Sequence, residues 1–147
     1  MKIGYRLLFA LHAFVGLGAM GGGMMAILNP QGPGGMSTDA LKNSSFSNFL
    51  IPGIILFTVI GLGNVFSAIM ILFKSRFQGY ISSVFSWALV IWIIVQCIML
   101  NMVISLHVIF FIIGLVQAIL SMNILFRQRS FPVNLILNVY KEIRKDM

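Results

Sequence analysis

His12, Asn64, Gln96, Asn101, His107 and Gln117 are polar side chains set in or beside long apolar runs. An unpaired amide or imidazole in hydrocarbon is costly, so such a group is either held by a partner or used for a ligand or pathway. At 1.5 Å of rise per helical residue, Asn64 and Gln117 each fall within about 5 Å of the middle of their runs, where they could meet in a hydrogen bond. Ser67, Ser121, Asn123 and His12 lie toward one side of that level; Gln96, Asn101 and His107 lie toward the other. The ordinary role for these groups is to hold helices together at roughly 1 kcal/mol each. The functional role is a polar pocket or pathway through Asn64, Gln96, Asn101, His107 and Gln117.

Catalytic chemistry finds little support. The acidic residues are Asp39, Glu142 and Asp146, all outside the apolar runs. Proton-coupled transport generally needs an ionisable group within the membrane, and hydrolysis needs an acid or His beside a nucleophile. Ser82, Ser83 and Ser86 have neither at their depth. His12 and His107 fall near opposite faces, cannot share one ion, and have no carboxylate or thiol next to them in sequence. The reading is therefore no enzyme, with no catalytic, cofactor-binding or metal-ligating residue expected.

Two motifs dissolve on inspection. Gly16-Leu17-Gly18-Ala19-Met20-Gly21 matches G-x-G-x-x-G, but it lies within an apolar run, without the strand, the helix start or the later acidic residue that a dinucleotide needs. Glycine serves a different purpose there, since lacking Cβ it lets two helices approach closely. Gly18 and Gly22 form the G-x-x-x-G pair expected to make that face, for packing within the bundle or between copies. Asn43-Ser44-Ser45 satisfies a glycosylation sequon, although capping of the next helix explains these Asn and Ser residues better. Cys97 is the single cysteine, which excludes an internal disulfide, and its apolar setting suggests a buried packing residue.

The elements that must position these residues follow from composition. The chain has 147 residues, 59% hydrophobic and 9% charged, far from the balance of a soluble domain. Its mean hydropathy is +1.01. Runs of about 20 apolar residues match the roughly 30 Å hydrocarbon core of a bilayer. Four are present, at about 7–28, 49–73, 80–100 and 108–126. The fold expected is an all-α bundle of four membrane-spanning helices, residues 1–129, with a turn-rich outer loop at 29–48. A short connection holding Asn101, Ser105 and His107 would join the last two spans. Pro52 falls in the first turn of the second, and Gly61 and Gly63 stand ready to receive a bulky neighbour or the first helix. The first run is too long for a cleaved signal and lacks a clear cleavage site.

Net charge is +7. In a soluble protein that would suggest nucleic acid, but here the basic residues flank the spans. Lys2, Arg6, Lys74, Arg76, Arg127, Arg129, Lys141, Arg144 and Lys145 share one side, and only Lys42 lies on the other. Cytoplasmic flanks collect Lys and Arg, so both termini are read as cytoplasmic, with the lipid bilayer rather than nucleic acid as the partner. In the basic tail 130–147, Pro132 suits a first helical turn after Ser130. Ile136, Tyr140, Ile143 and Met147 then recur at helical spacing against Lys141, Arg144 and Lys145. This fits a short amphipathic helix on the inner leaflet, or a partly ordered tail that only anchors topology.

The glycine-rich first span, the segment Ser45-Phe46-Ser47-Asn48-Phe49-Leu50-Ile51-Pro52-Gly53 and the stretch Trp92-Ile93-Ile94-Val95-Gln96 resemble a group of small, uncharacterised four-helix integral membrane proteins of bacteria. The likeness covers roughly the first hundred residues. It implies a prokaryotic cell membrane, and it brings no activity, ligand or site residue. Three functions remain open. The first is a non-enzymatic membrane protein acting through helix packing or a membrane-protein partner, of accessory, stress or immunity type. The second is a small oligomeric transporter or channel using Asn64, Gln96 and Gln117. The third is a module for lipid or another hydrophobic ligand, with its pocket between the helices near the outer leaflet.

Overall fold

A computed structural model describes residues 2–128 and 133–147. Among these there is no strand. Helix α1 spans Lys2–Leu28, α2 Leu50–Leu72, α3 Gln78–Leu100 and α4 Ser105–Gln128, each long and apolar enough to cross a membrane. A fifth helix, α5, covers Val133–Lys145. Arg129, Ser130 and Pro132, including the helix start expected at Pro132, lie outside the described residues.

The bundle is antiparallel throughout. Gly16 lies against Val65 and Gly23 against Phe57; Ser67 reaches toward Ile81; Gly79 meets Leu125 and Gly114 meets Val90. One end therefore collects Arg6, Lys74, Arg76 and Arg127 and is called the basic end below. The opposite, loop end carries residues 29–49 and 101–104, and its Lys42 pairs with Asp39 at 3.3 Å. Large apolar side chains such as Phe14, Phe66, Ile91 and Ile112 point outward around the barrel of helices. That arrangement suits lipid as the surrounding solvent.

Short turns end the helices. Lys74 at φ 53° and Asn101 at φ 49° adopt the left-handed conformation that stops α2 and α3. The amide of Ser75 then donates to the Met70 carbonyl at 3.0 Å, closing the last turn of α2. The last connection is shorter than the sequence suggests. Ser105 and His107 belong to the first turn of α4, because His107 Nδ1 accepts the Ile104 amide at 3.3 Å and caps the helix start. Pro52 lies in the first turn of α2 as expected, and Asn48 Oδ1 accepts the Leu50 amide at 3.0 Å.

The segment 29–49 is built rather than loose. It forms single turns at Pro33–Gly35 and Thr38–Leu41. Leu41 and Phe49 pack against Ala26, Met99 and Leu100, closing the loop end with an apolar cluster. A second cluster, around Val15, Ile60, Leu89 and Ile93, fills the middle. A third, Leu8 with Ile71 and Ile124, closes the basic end.

Residues Leu56–Leu62 of α2 form a π-helical stretch, with its wider i→i+5 turns. It faces α1, where the two backbones come closest. A Cβ at Gly16 would lie 2.9 Å from the Val65 nitrogen. One at Gly23 would lie 2.7 Å from the Phe57 nitrogen and 2.8 Å from the Gly53 oxygen. Real Cβ atoms do not approach backbone so closely, so glycine is required at both. Gly61 receives Met20, and the ring of Phe85 lies over Gly63. The close approach thus runs through Gly16 and Gly23 rather than through the Gly18/Gly22 pair. At Gly18 a Cβ would come no nearer than 3.7 Å to Phe110, and at Gly22 no nearer than 3.5 Å to Leu56.

Candidate functional site

Along each helix the inward stripe changes character toward the basic end. On α1 it reads Val15, His12, Leu8; on α2, Ile60, Asn64, Ser67, Ile71. On α3 it reads Leu89, Ser86, Ser82, and on α4 Gln117, Ser121, Ile124. These spacings of three or four residues keep each set on one face. The result is a polar layer between two apolar ones, and His12, Asn64 and Gln117 in it are all 0% exposed.

The hydrogen bonds within this layer differ from those the sequence suggests. Asn64 does not meet Gln117. Its Oδ1 lies 2.7 Å from His12 Nδ1, and its Nδ2 donates to the Ile60 carbonyl at 2.8 Å. Because an amide oxygen only accepts, His12 carries its proton on Nδ1 and turns an acceptor nitrogen, Nε2, to its other side. Ser67 and Ser86 donate back to carbonyls one turn earlier, at Gly63 and Ser82. His12 Nε2, Ser82 Oγ and both amide atoms of Gln117 have no hydrogen-bond partner among the described residues.

Above the layer, Val15, Ile60 and Leu89 form the floor of a cavity of about 360 Å³ that occupies the loop-end half of the bundle. All four helices wall it, and Pro33, Gly34 and Met36 from the 29–49 segment roof it. Its volume falls in the range of small-molecule sites. The lining is almost wholly apolar, and its polar side chains are Trp92, Gln96 and His107. Trp92 is 8% exposed, and its indole N–H, itself out of reach of the cavity's open space, has no partner among the described residues.

On the α1–α4 side the wall is thin. Gly18, Gly22 and the exposed Met25 line it from α1; exposed Leu106 and half-buried Phe110 line it from α4. Phe110 stacks on Phe14 with ring centroids 6.0 Å apart, just beyond Gly18 toward the basic end. Gly18 is exposed and Gly22 half-buried on this flank, and neither places a side chain across it.

The structure thus divides the expected polar set. Gln96 and His107 line the cavity, whereas Asn101 sits in a shallower groove between α3 and α4 that His107 also borders. Asn64 and Gln117 belong to the polar layer beneath the floor. Cys97 is half-buried and packs against the middle cluster instead of being fully enclosed. Trp92, His12 as the partner of Asn64, and the π-helical stretch escaped the sequence reading. For His12 the available signal was its place between Leu8 and Val15 on one helical stripe.

No family model matches the sequence, and no curated protein or solved structure is detectably similar to it.

Proposed function

We propose that this chain is a non-enzymatic, multi-pass membrane protein that holds an apolar small molecule in its loop-end cavity. The supporting observation is the almost wholly apolar cavity of about 360 Å³ among the four helices, with Gly18 and Gly22 on its α1–α4 flank. A transporter would need a polar route, and here Val15, Ile60 and Leu89 separate the cavity from the polar layer. Entry is lateral, between α1 and α4, which suits a molecule dissolved in the bilayer.

The basic end is assigned to the cytoplasm and both termini with it, because Lys and Arg gather there while the loop-end Lys42 is paired with Asp39. The cavity then opens in the outer leaflet of the cell membrane. Helix α5 supports a second contact. Leu135, Ile136, Val139, Tyr140 and Ile143 are exposed on it, opposite Lys141 and Lys145. Tethered beside the bundle, it rests this apolar side on the inner leaflet with its cations at anionic headgroups.

Thermal unfolding of the full chain in mild detergent tests the binding reading, with dodecane as the probe. At a hundredfold excess over Kd, binding adds about 2.7 kcal/mol of stability. Gly18→Leu fills the flank and removes that gain while leaving unliganded stability near wild type. No stabilisation of the wild type by dodecane contradicts the proposal.

A further inference from the structure

Resting on that reading, we infer that Met25, Met36 and Met102 form an oxidisable rim on the cavity, and that their sulfoxides turn apolar molecules away. Four methionines line this cavity: Met25 from α1, Met36 from the 29–49 segment, Met99 from the last turn of α3 and Met102 from the connection after it. Met25, Met36 and Met102 are 52%, 43% and 47% exposed, whereas Met99 is enclosed at 5%. The exposed three thus come from separate elements and meet the same apolar space. The Met25 methyl reaches the roof, 3.3 Å from where a Cβ on Gly34 would stand. Met36 and Met102 lie outside the spans, and Met25 is only about 4.5 Å of helical rise from the end of α1 at Leu28. All three are within reach of a small oxidant at the membrane edge.

The oxidant is a peroxide. A thioether lone pair attacks one peroxide oxygen, so an S–O bond forms as the O–O bond breaks. Sulfur gives up two electrons, and the proton of the transferred oxygen leaves with the other oxygen as water. A thioether is apolar and flexible, and moulds itself around an apolar guest. A sulfoxide is polar, and covering its oxygen with hydrocarbon strips away water without returning a hydrogen bond. The empty protein meets no such cost, because these three side chains stand at the surface and their oxygens stay hydrated. Oxidation therefore acts on binding rather than on folding. Methionine sulfoxide reductases, one for each epimer, reverse the change.

The test treats the full chain in mild detergent with hydrogen peroxide, maps sulfoxides by peptide mass spectrometry and reads dodecane affinity from thermal unfolding. Met25, Met36 and Met102 should oxidise well ahead of Met99. The oxidised wild type should bind dodecane about tenfold more weakly or worse, while its unliganded unfolding stays near that of the untreated protein. In a time course the loss should track the sulfoxide content of these three residues, a readout that needs no variant. Whatever affinity the triple variant Met25→Leu, Met36→Leu, Met102→Leu has, peroxide should change it by no more than about twofold, since leucine has no sulfur to oxidise. Unchanged dodecane binding after the three are oxidised overturns the rim, and so does a loss that persists in the triple variant or that follows unfolding. The hydrophobic-ligand reading stands in each of those cases. If the untreated wild type binds no dodecane, both readings fail together.

Discussion

His12 Nδ1 and Asn64 Oδ1 lie 2.7 Å apart at the centre of the polar layer, joining α1 to α2 with both side chains fully enclosed. The Asn64 amide is oriented by its own bond to the Ile60 carbonyl, so the imidazole meets an acceptor already in place. Asn64→Leu removes that acceptor and strands the His12 N–H in the buried layer, away from water. The expected loss is about 1–2 kcal/mol, within the range for hydrogen bonds between membrane helices and for stranded buried groups. Adding His12→Leu should cost less than the sum of the two single changes, because the stranded donor is removed as well. Equilibrium unfolding in mixed micelles measures this cycle.

Gln117 behaves differently despite its similar depth. Its amide is buried and bonded to none of the described residues, so Gln117→Leu removes polar atoms without breaking a hydrogen bond among them. Stability should stay level or rise by about 1 kcal/mol. A loss comparable to that of Asn64→Leu would show that the amide has a partner, such as an ordered water bridging to His12 Nε2 or Ser82.

The contrast between these two amides shows what the sequence could and could not convey. Four spans were legible because hydrocarbon thickness sets the length of an apolar run, and that constraint acts on each segment alone. The depths of Asn64 and Gln117 were legible for the same reason. Their partners were not, because a contact depends on which way each helix is turned about its axis. The π-helical stretch at Leu56–Leu62 alters that turn just before Asn64, and nothing in Leu-Phe-Thr-Val-Ile-Gly-Leu announces it. The glycines show the same limit. Small residues forecast close approach, but only the assembled helices distinguish Gly16 and Gly23, which touch α2 backbone, from Gly18 and Gly22, which line the cavity.

Single alanine substitutions separate those roles. Gly23→Ala places a Cβ against α2 backbone at 2.7 Å, so the helices must part, at a cost of about 1–3 kcal/mol. Gly22→Ala meets only the Leu56 side chain, at 3.5 Å, and should be neutral or gain a few tenths of a kcal/mol from helix propensity. Thermal unfolding in the same detergent distinguishes the two variants.

Sidedness follows from labelling. In a Cys97→Ser background, Lys42→Cys should react with an impermeant maleimide added to intact cells. Lys74→Cys should react only after the membrane is opened. The opposite pattern would invert the assignment of the basic end to the cytoplasm and move the cavity to the inner leaflet.

The central claim is that the loop-end cavity holds an apolar molecule, and native mass spectrometry from native-lipid particles tests it most directly. The account predicts a monomer carrying one defined hydrophobic adduct that is lost in Gly18→Leu. A bare monomer would contradict it and return the function to contact with a membrane-protein partner. An oligomer without adduct would contradict it too, and would point to a pathway built between copies of the chain.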